Sequence, residues 1–166
     1  MIVSIRDLMP IIKESFSQEK PVRFPSTGSS MMPFIRNNDV VELIPYSHKS
    51  TSLNSLCKGS IVLLEKEENV FIIHRIVKLS GNTFYLRGDA QRVSEGPFDL
   101  NSIIGIVNLS LHKSGERNHL LGFWKFAGKF WVSFFPLTIY TYDSYRFLRR
   151  FAGIILRKLH LLPQNN

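Results

Sequence analysis

Apolar and polar positions follow two rhythms along this chain. From Ile5 to Phe16 the apolar residues Leu8, Ile11, Ile12 and Phe16 recur every three or four positions, the period of a helix with one buried face. Pro10 suits the first turn of such a helix, where its missing N–H costs little. After that the pattern changes to short apolar runs bounded by turn residues. "KPVRF" reads as a strand entry, and "DVVELIPY", "GSIVLLEK" and "SIIGIVNLSL" read as strands. The polar stretch "SHKSTSLNSLCK" is a loop between the first two of those strands. "NVFIIHRIVKLSGNTFYLRGD" reads as a hairpin, two apolar runs joined by a turn at Ser80-Gly81-Asn82. One helix followed by five or more strands predicts a mostly-β, α+β body.

The rhythm turns helical again near the end. Tyr145, Leu148, Phe151, Ile155, Leu159 and Leu162 recur at helical spacing, with Arg146, Arg149, Arg150, Arg157 and Lys158 between them. "KSGERNH" (Lys113 to His119) reads as a linker into this tail. The expected organisation is a body over 1–112 and a basic, aromatic, helical segment over 113–166.

Charge sharpens that division. The chain carries a formal +8, yet from Leu120 onward seven Lys/Arg face one acid, Asp143. Twelve of the twenty aromatic residues also lie beyond Leu120. Trp, Phe and cations on an amphipathic helix suit either a cover for the core or a peripheral contact with a membrane surface. No recognised nucleic-acid-binding motif accompanies the charge, so nucleic acid is not an expected partner. Arg6 and Asp7 interrupt the N-terminal apolar run, so no secretory signal is read there. No apolar stretch is long enough for a spanning helix, and the expected location is cytoplasmic or peripheral to a membrane. The lone Cys57 makes no internal disulfide, no metal-ligand spacing is present, and no cofactor is expected.

Three islands carry candidate chemistry. The first is "TGSSMMPF", with Ser30 between small residues and Met31-Met32-Pro33, and with Asn38-Asp39-Val40-Val41 beyond it. The second is "IIHRIV", which supplies His74 and Arg75. The third is "LRGDAQRVSEGPFD", which supplies Asp89 and Glu95. A serine hydroxyl needs a base within hydrogen-bond reach, a histidine titrates near the working pH, and a carboxylate fixes the imidazole tautomer. Ser30, His74 and Asp89 or Glu95 provide one of each, whereas His48, His112, His119 and His160 sit in polar or tail settings and read as surface residues. Gly28 and Ser29 let backbone come close to a substrate carbonyl, Met31 packs into an apolar surface, and Pro33 restricts the turn.

In order and approximate spacing, from about Gly28 to Val107, these islands resemble the type I signal peptidases and the wider signal-peptidase/LexA-like serine peptidase superfamily. Histidine where the bacterial housekeeping enzymes have lysine makes the chain similar to the archaeal and endoplasmic-reticulum branch. The resemblance implies a signal-peptidase-like β-fold. It also implies a serine endopeptidase acting on a precursor or leader peptide through Ser30 as nucleophile and His74 as base. An acid is implied at Asp89 or, six residues later, at Glu95, in a stretch that reads as a loop containing Gly96 and Pro97. The alternative is a catalytically silent member that serves as a peptide-binding or membrane-associated scaffold. The Ser30 N–H is the expected oxyanion donor. Many relatives have serine where this chain has Gly28, so a second donor stays open between Thr27 and Ser29. Between the two acids, a hairpin turning at Gly81 sets Gly88 opposite His74 and brings Asp89 close, so proximity favours Asp89.

Overall fold

The structure, a computed structural model, describes residues 5–46, 56–113, 115–135, 140, 144 and 147. The chain divides into two units, 1–133 and 134–166. The tail helix expected over Ser144 to Leu162 lies almost wholly outside the described residues, as do His48 and His160.

The first unit is an α+β body built on one antiparallel sheet. Its elements are α1 (Ile5–Ser17), β1 (Val22–Pro25), β2 (Val40–Pro45), β3 (Ile61–Glu67), β4 (Val70–Ser80), β5 (Thr83–Arg87), β6 (Glu95–Asp99), β7 (Ile103–His112), β8 (Gly115–Asn118) and α2 (Gly122–Ser133). A short 3-10 turn, Leu100–Ser102, joins β6 to β7 and is capped by Asp99. The strand order is β1-β2-β7-β3-β4-β5-β6, with β8 also paired to β7.

Alternation along the central strands builds two cores. Ile61 and Leu63 of β3 face one side, where Met9 and Ile12 of α1, Phe24, Met31, Val41, Leu43 and Val107 close round them. Val62 and Leu64 face the other side with Ile76, Phe84, Leu86 and Ile106. The run "IVLL" is therefore buried throughout, because its strand has apolar cover on both faces. Each such side chain contributes about 1.5–3 kcal/mol through burial.

Three elements differ from the sequence reading. Pro10 lies inside α1 and not in its first turn. Residues 95–99, read as a loop, form β6; Pro97 is tolerated there because β6 is a terminal strand of the sheet. Residues 115–118, read as a linker, form β8 against β7, so 113–133 adds a strand and a helix to the first unit.

Helix α2 begins after Asn118, whose Oδ1 accepts from the Leu120 and Leu121 N–H groups. Leu121, Phe123, Phe126 and Phe130 are exposed, while Gly128 and Val132 are buried. Among the described residues no helix is long and apolar enough to cross a membrane.

His119, read from sequence as a surface residue, is buried at the end of β8, with Nε2 2.8 Å from the Ser110 hydroxyl. Burial, with Arg75 and Arg117 adding to it, lowers its pKa to about 3. An unfolded histidine titrates near 6.5, so between the two values the unfolded chain holds the extra proton. The stabilisation is complete above pH 6.5 and is lost as pH falls toward 3, at no more than about 1.4 kcal/mol per pH unit. His74, also lowered by burial, adds in the same direction. Urea denaturation at pH 7.5 and pH 5 should therefore differ by roughly 2 kcal/mol from His119 alone, and His119→Gln should shrink that difference. An equal pH effect in the variant would contradict this origin.

Candidate active site

The loop between β1 and β2 presents Ser30. Its base is clasped by buried Asp39, which accepts from the Arg36 N–H through Oδ2 and lies 2.6 Å from His112 Nδ1 through Oδ1. Arg36 reaches the other ring nitrogen of His112 at 2.8 Å; a guanidinium only donates, so that nitrogen accepts and Nδ1 carries the proton. His112, also read as a surface histidine, is thus part of this clasp. Asn38 takes the left-handed conformation its side chain tolerates, with φ 68°. Within the loop, the Phe34 and Ile35 N–H groups both donate to the Met31 carbonyl, which winds the chain tightly just after Ser30. Met31 is buried in the core beneath, and Thr27, Gly28 and Ser29 are exposed.

The half-buried Ser30 is fixed by its own carbonyl, which accepts from the Ala90 N–H at 2.8 Å. A Cβ on Gly88 would stand 2.7 Å from that carbonyl oxygen, so only glycine lets the two segments come this close. Gly88 follows β5, whose Arg87 pairs with Arg75 of β4. Ser30 is thereby tied to the strand pair that carries His74.

Ser30 and His74 line one cleft. Its borders are two stretches of consecutive residues, Phe24 to Gly28 and Phe71 to His74, and Ile5 and Leu8 of α1 close its apolar side. Side chains on a strand alternate, so four successive residues along a wall mean that the backbone edge itself faces the cleft. Consistent with this, β5 pairs with β4 only from Arg75 onward.

His74 is buried opposite Val62 of β3. Burial lowers its pKa below the ordinary value; Glu95 opposes that shift and Lys66 adds to it. Its Nδ1 has no hydrogen-bond partner and stands 4.0 Å from Glu95 Oε1. Glu95 Oε2 in turn pairs with Lys66 Nζ at 2.6 Å.

Asp89 is committed elsewhere. Arg75 donates from Nε and Nη2 to its two carboxylate oxygens, both at 2.7 Å, and from Nη1 to the Gly59 carbonyl at 2.7 Å. The preference for Asp89 as partner of His74 is therefore corrected, and pleating gives the reason. The hairpin does set Arg75 opposite Arg87 and Ile76 opposite Leu86. Opposed residues share a face, so Asp89, two positions beyond Arg87, falls on the Arg75 side. Glu95 pairs with Leu86, and Leu86 with Ile76, which places Glu95 on the His74 side. Closeness along the hairpin therefore does not put Asp89 on the face of His74.

Of the oxyanion candidates, the Gly28 N–H already donates to Asn37 Oδ1 at 3.0 Å. Cys57 is half-buried beside Ser60, and exposed Lys78 lies over the Tyr85 ring. Among the described residues no cluster of three or more His, Cys, Asp or Glu is placed to hold a metal.

Sequence reading missed the support behind the serine loop. Phe34 packs edge-on against Trp124 and Trp131 of α2 and lies under the Arg75 guanidinium, 4.5 Å from ring centroid to Cζ. Arg117 stacks over Trp124 and donates to the carbonyls of Pro33 and Phe34. The signal was the dense aromatic run "FWKFAGKFW", whose role depends on a contact distant in sequence.

Comparison with models of known protein families, with curated proteins and with solved structures finds no match.

Proposed function

We propose that this chain is a signal-peptidase-like serine endopeptidase that cleaves a precursor or leader peptide. The observation that carries the reading is the shared cleft of Ser30 and His74, with a carboxylate beside Nδ1 of that histidine. Nδ1 faces Glu95, which leaves Nε2 for the serine. Neutral His74 takes the Ser30 hydroxyl proton as Oγ bonds to the scissile carbonyl carbon. The oxyanion rests on the Ser30 N–H. Collapse breaks the C–N bond, and the imidazolium returns its proton to the leaving amine. Water, deprotonated by the same imidazole, then hydrolyses the acyl-Ser30 ester and regenerates the hydroxyl. The backbone edges at Phe24 to Gly28 and Phe71 to His74 suit an extended peptide, which adds hydrogen bonds as a further strand.

A serine-reactive phosphonate should label Ser30, located by mass spectrometry. Ser30→Ala should fold normally and lose both labelling and peptide hydrolysis. Because burial holds His74 low, the wild-type rate should rise with pH through an inflection below about 6.5. Hydrolysis at the wild-type rate by folded Ser30→Ala protein would overturn the assignment. A chain that binds peptide without labelling or turnover would favour the silent scaffold.

A further inference from the structure

Lys66 and Glu95 both sit at breaks in strand register. Between Glu65 and Glu67, β3 carries one residue more than β4, and that extra residue is Lys66. Between Glu95 and Phe98, β6 carries one residue more than β5. Such bulges turn a side chain away from the direction a regular strand would give it, and they recur beside active sites. Here two bulges, on strands either side of the β4-β5 pair, bring an ammonium and a carboxylate to 2.6 Å above the strand that holds His74.

One carboxylate thus serves two neighbours. Oε2 is held by Lys66, and Oε1 stops 4.0 Å from His74 Nδ1, beyond hydrogen-bond range. The buried Nδ1 is left with no partner, which is costly for a ring nitrogen. On that face the ion pair with Lys66 draws Glu95 away from the ring.

We propose that Lys66 is a positioning residue that shares Glu95 with His74 and holds the carboxylate short of Nδ1. The charged groups facing His74 are Glu95 from β6 and Lys66 from β3, with Glu67 acting on Lys66; Arg75 and Asp89 lie on the opposite face of the sheet. Release from Lys66 lets Glu95 close the remaining gap of about 1 Å and accept the Nδ1 proton. A protonated His74 pulls the carboxylate the same way, so the bond strengthens as the imidazolium forms. Lys66 thereby sets how far the acid supports the base before substrate arrives. This deepens the peptidase reading and rests on it for the catalytic consequence, but the contact itself can be read without any turnover.

The test is the NMR titration of the His74 imidazole in the full chain, assigned by its loss in His74→Ala. In Lys66→Gln the midpoint should rise, since a cation is removed and a carboxylate moves closer. Lys66→Arg should stay near wild type because it keeps the ion pair. In a Glu95→Gln background the Lys66→Gln shift should be clearly smaller, as only the direct repulsion is lost. A midpoint that falls in Lys66→Gln, or a shift of equal size with and without Glu95, overturns the proposal. These outcomes do not depend on Ser30, so failure of the peptidase reading would show separately in the phosphonate labelling.

Discussion

Asp89→Ala should lower folding stability by about 3–5 kcal/mol, the usual cost of removing one partner from a buried ion pair. The Arg75 side chain is 1% exposed and Asp89 2%, so water cannot replace the lost carboxylate. Burial pushes the Asp89 carboxyl up and Arg75 pulls it back, which leaves the two groups dependent on each other. The damage should also spread. The Arg75 guanidinium lies over Phe34, and Gly128 of α2 has no side chain because that guanidinium fills the space beside it. With total stabilities of about 5–15 kcal/mol for folded domains, a loss of this size moves the urea midpoint far toward zero. Asp89→Asn keeps the shape and removes the charge, and it should fall between wild type and alanine. A midpoint for Asp89→Ala close to wild type would mean that Arg75 finds another partner.

Glu95→Gln should behave in the opposite way. Its side chain is 25% exposed and its ion pair with Lys66 is at the surface, so folding should change by no more than about 1 kcal/mol. Turnover should drop on the order of 10⁴, as when the acid of a serine-histidine-acid triad is lost. The pH–rate inflection should move down as well, because Glu95 opposes the burial that lowers His74. Steady-state kinetics at saturating peptide, with denaturation curves beside them, separates the two acids: the expected loss is of stability at Asp89 and of turnover at Glu95. Near-normal turnover in Glu95→Gln would leave a serine-histidine dyad.

Local apolar patterning decides which parts of the fold can be read from sequence. α1, β2, β3, β4, β5 and β7 were legible because each carries an apolar run of its own. β6 and β8 were not: "EGPFD" and "GERN" owe their strand state to the partners they lie against. The candidate residues on the three islands were legible as a set. Which acid faces which base was not, because that depends on pleat and bulge, and a shift of one residue exchanges the faces. His119 looked like a surface residue among polar neighbours, yet it is buried beside Ser110 of β7.

Phe34 has a consequence for any attempt to shorten this chain. The ring sits four residues after Ser30 and is held by Trp124, Trp131 and the Arg75 guanidinium, while Arg117 grips the backbone on either side of its peptide link to Pro33. A truncation at the apparent linker near Gly115 would remove Arg117 and both tryptophans at once. The serine loop would lose its rear support although no residue of the cleft had been touched. The segment after β7 is therefore part of the scaffold that aims the serine, and a minimal version of the first unit has to extend through Ser133.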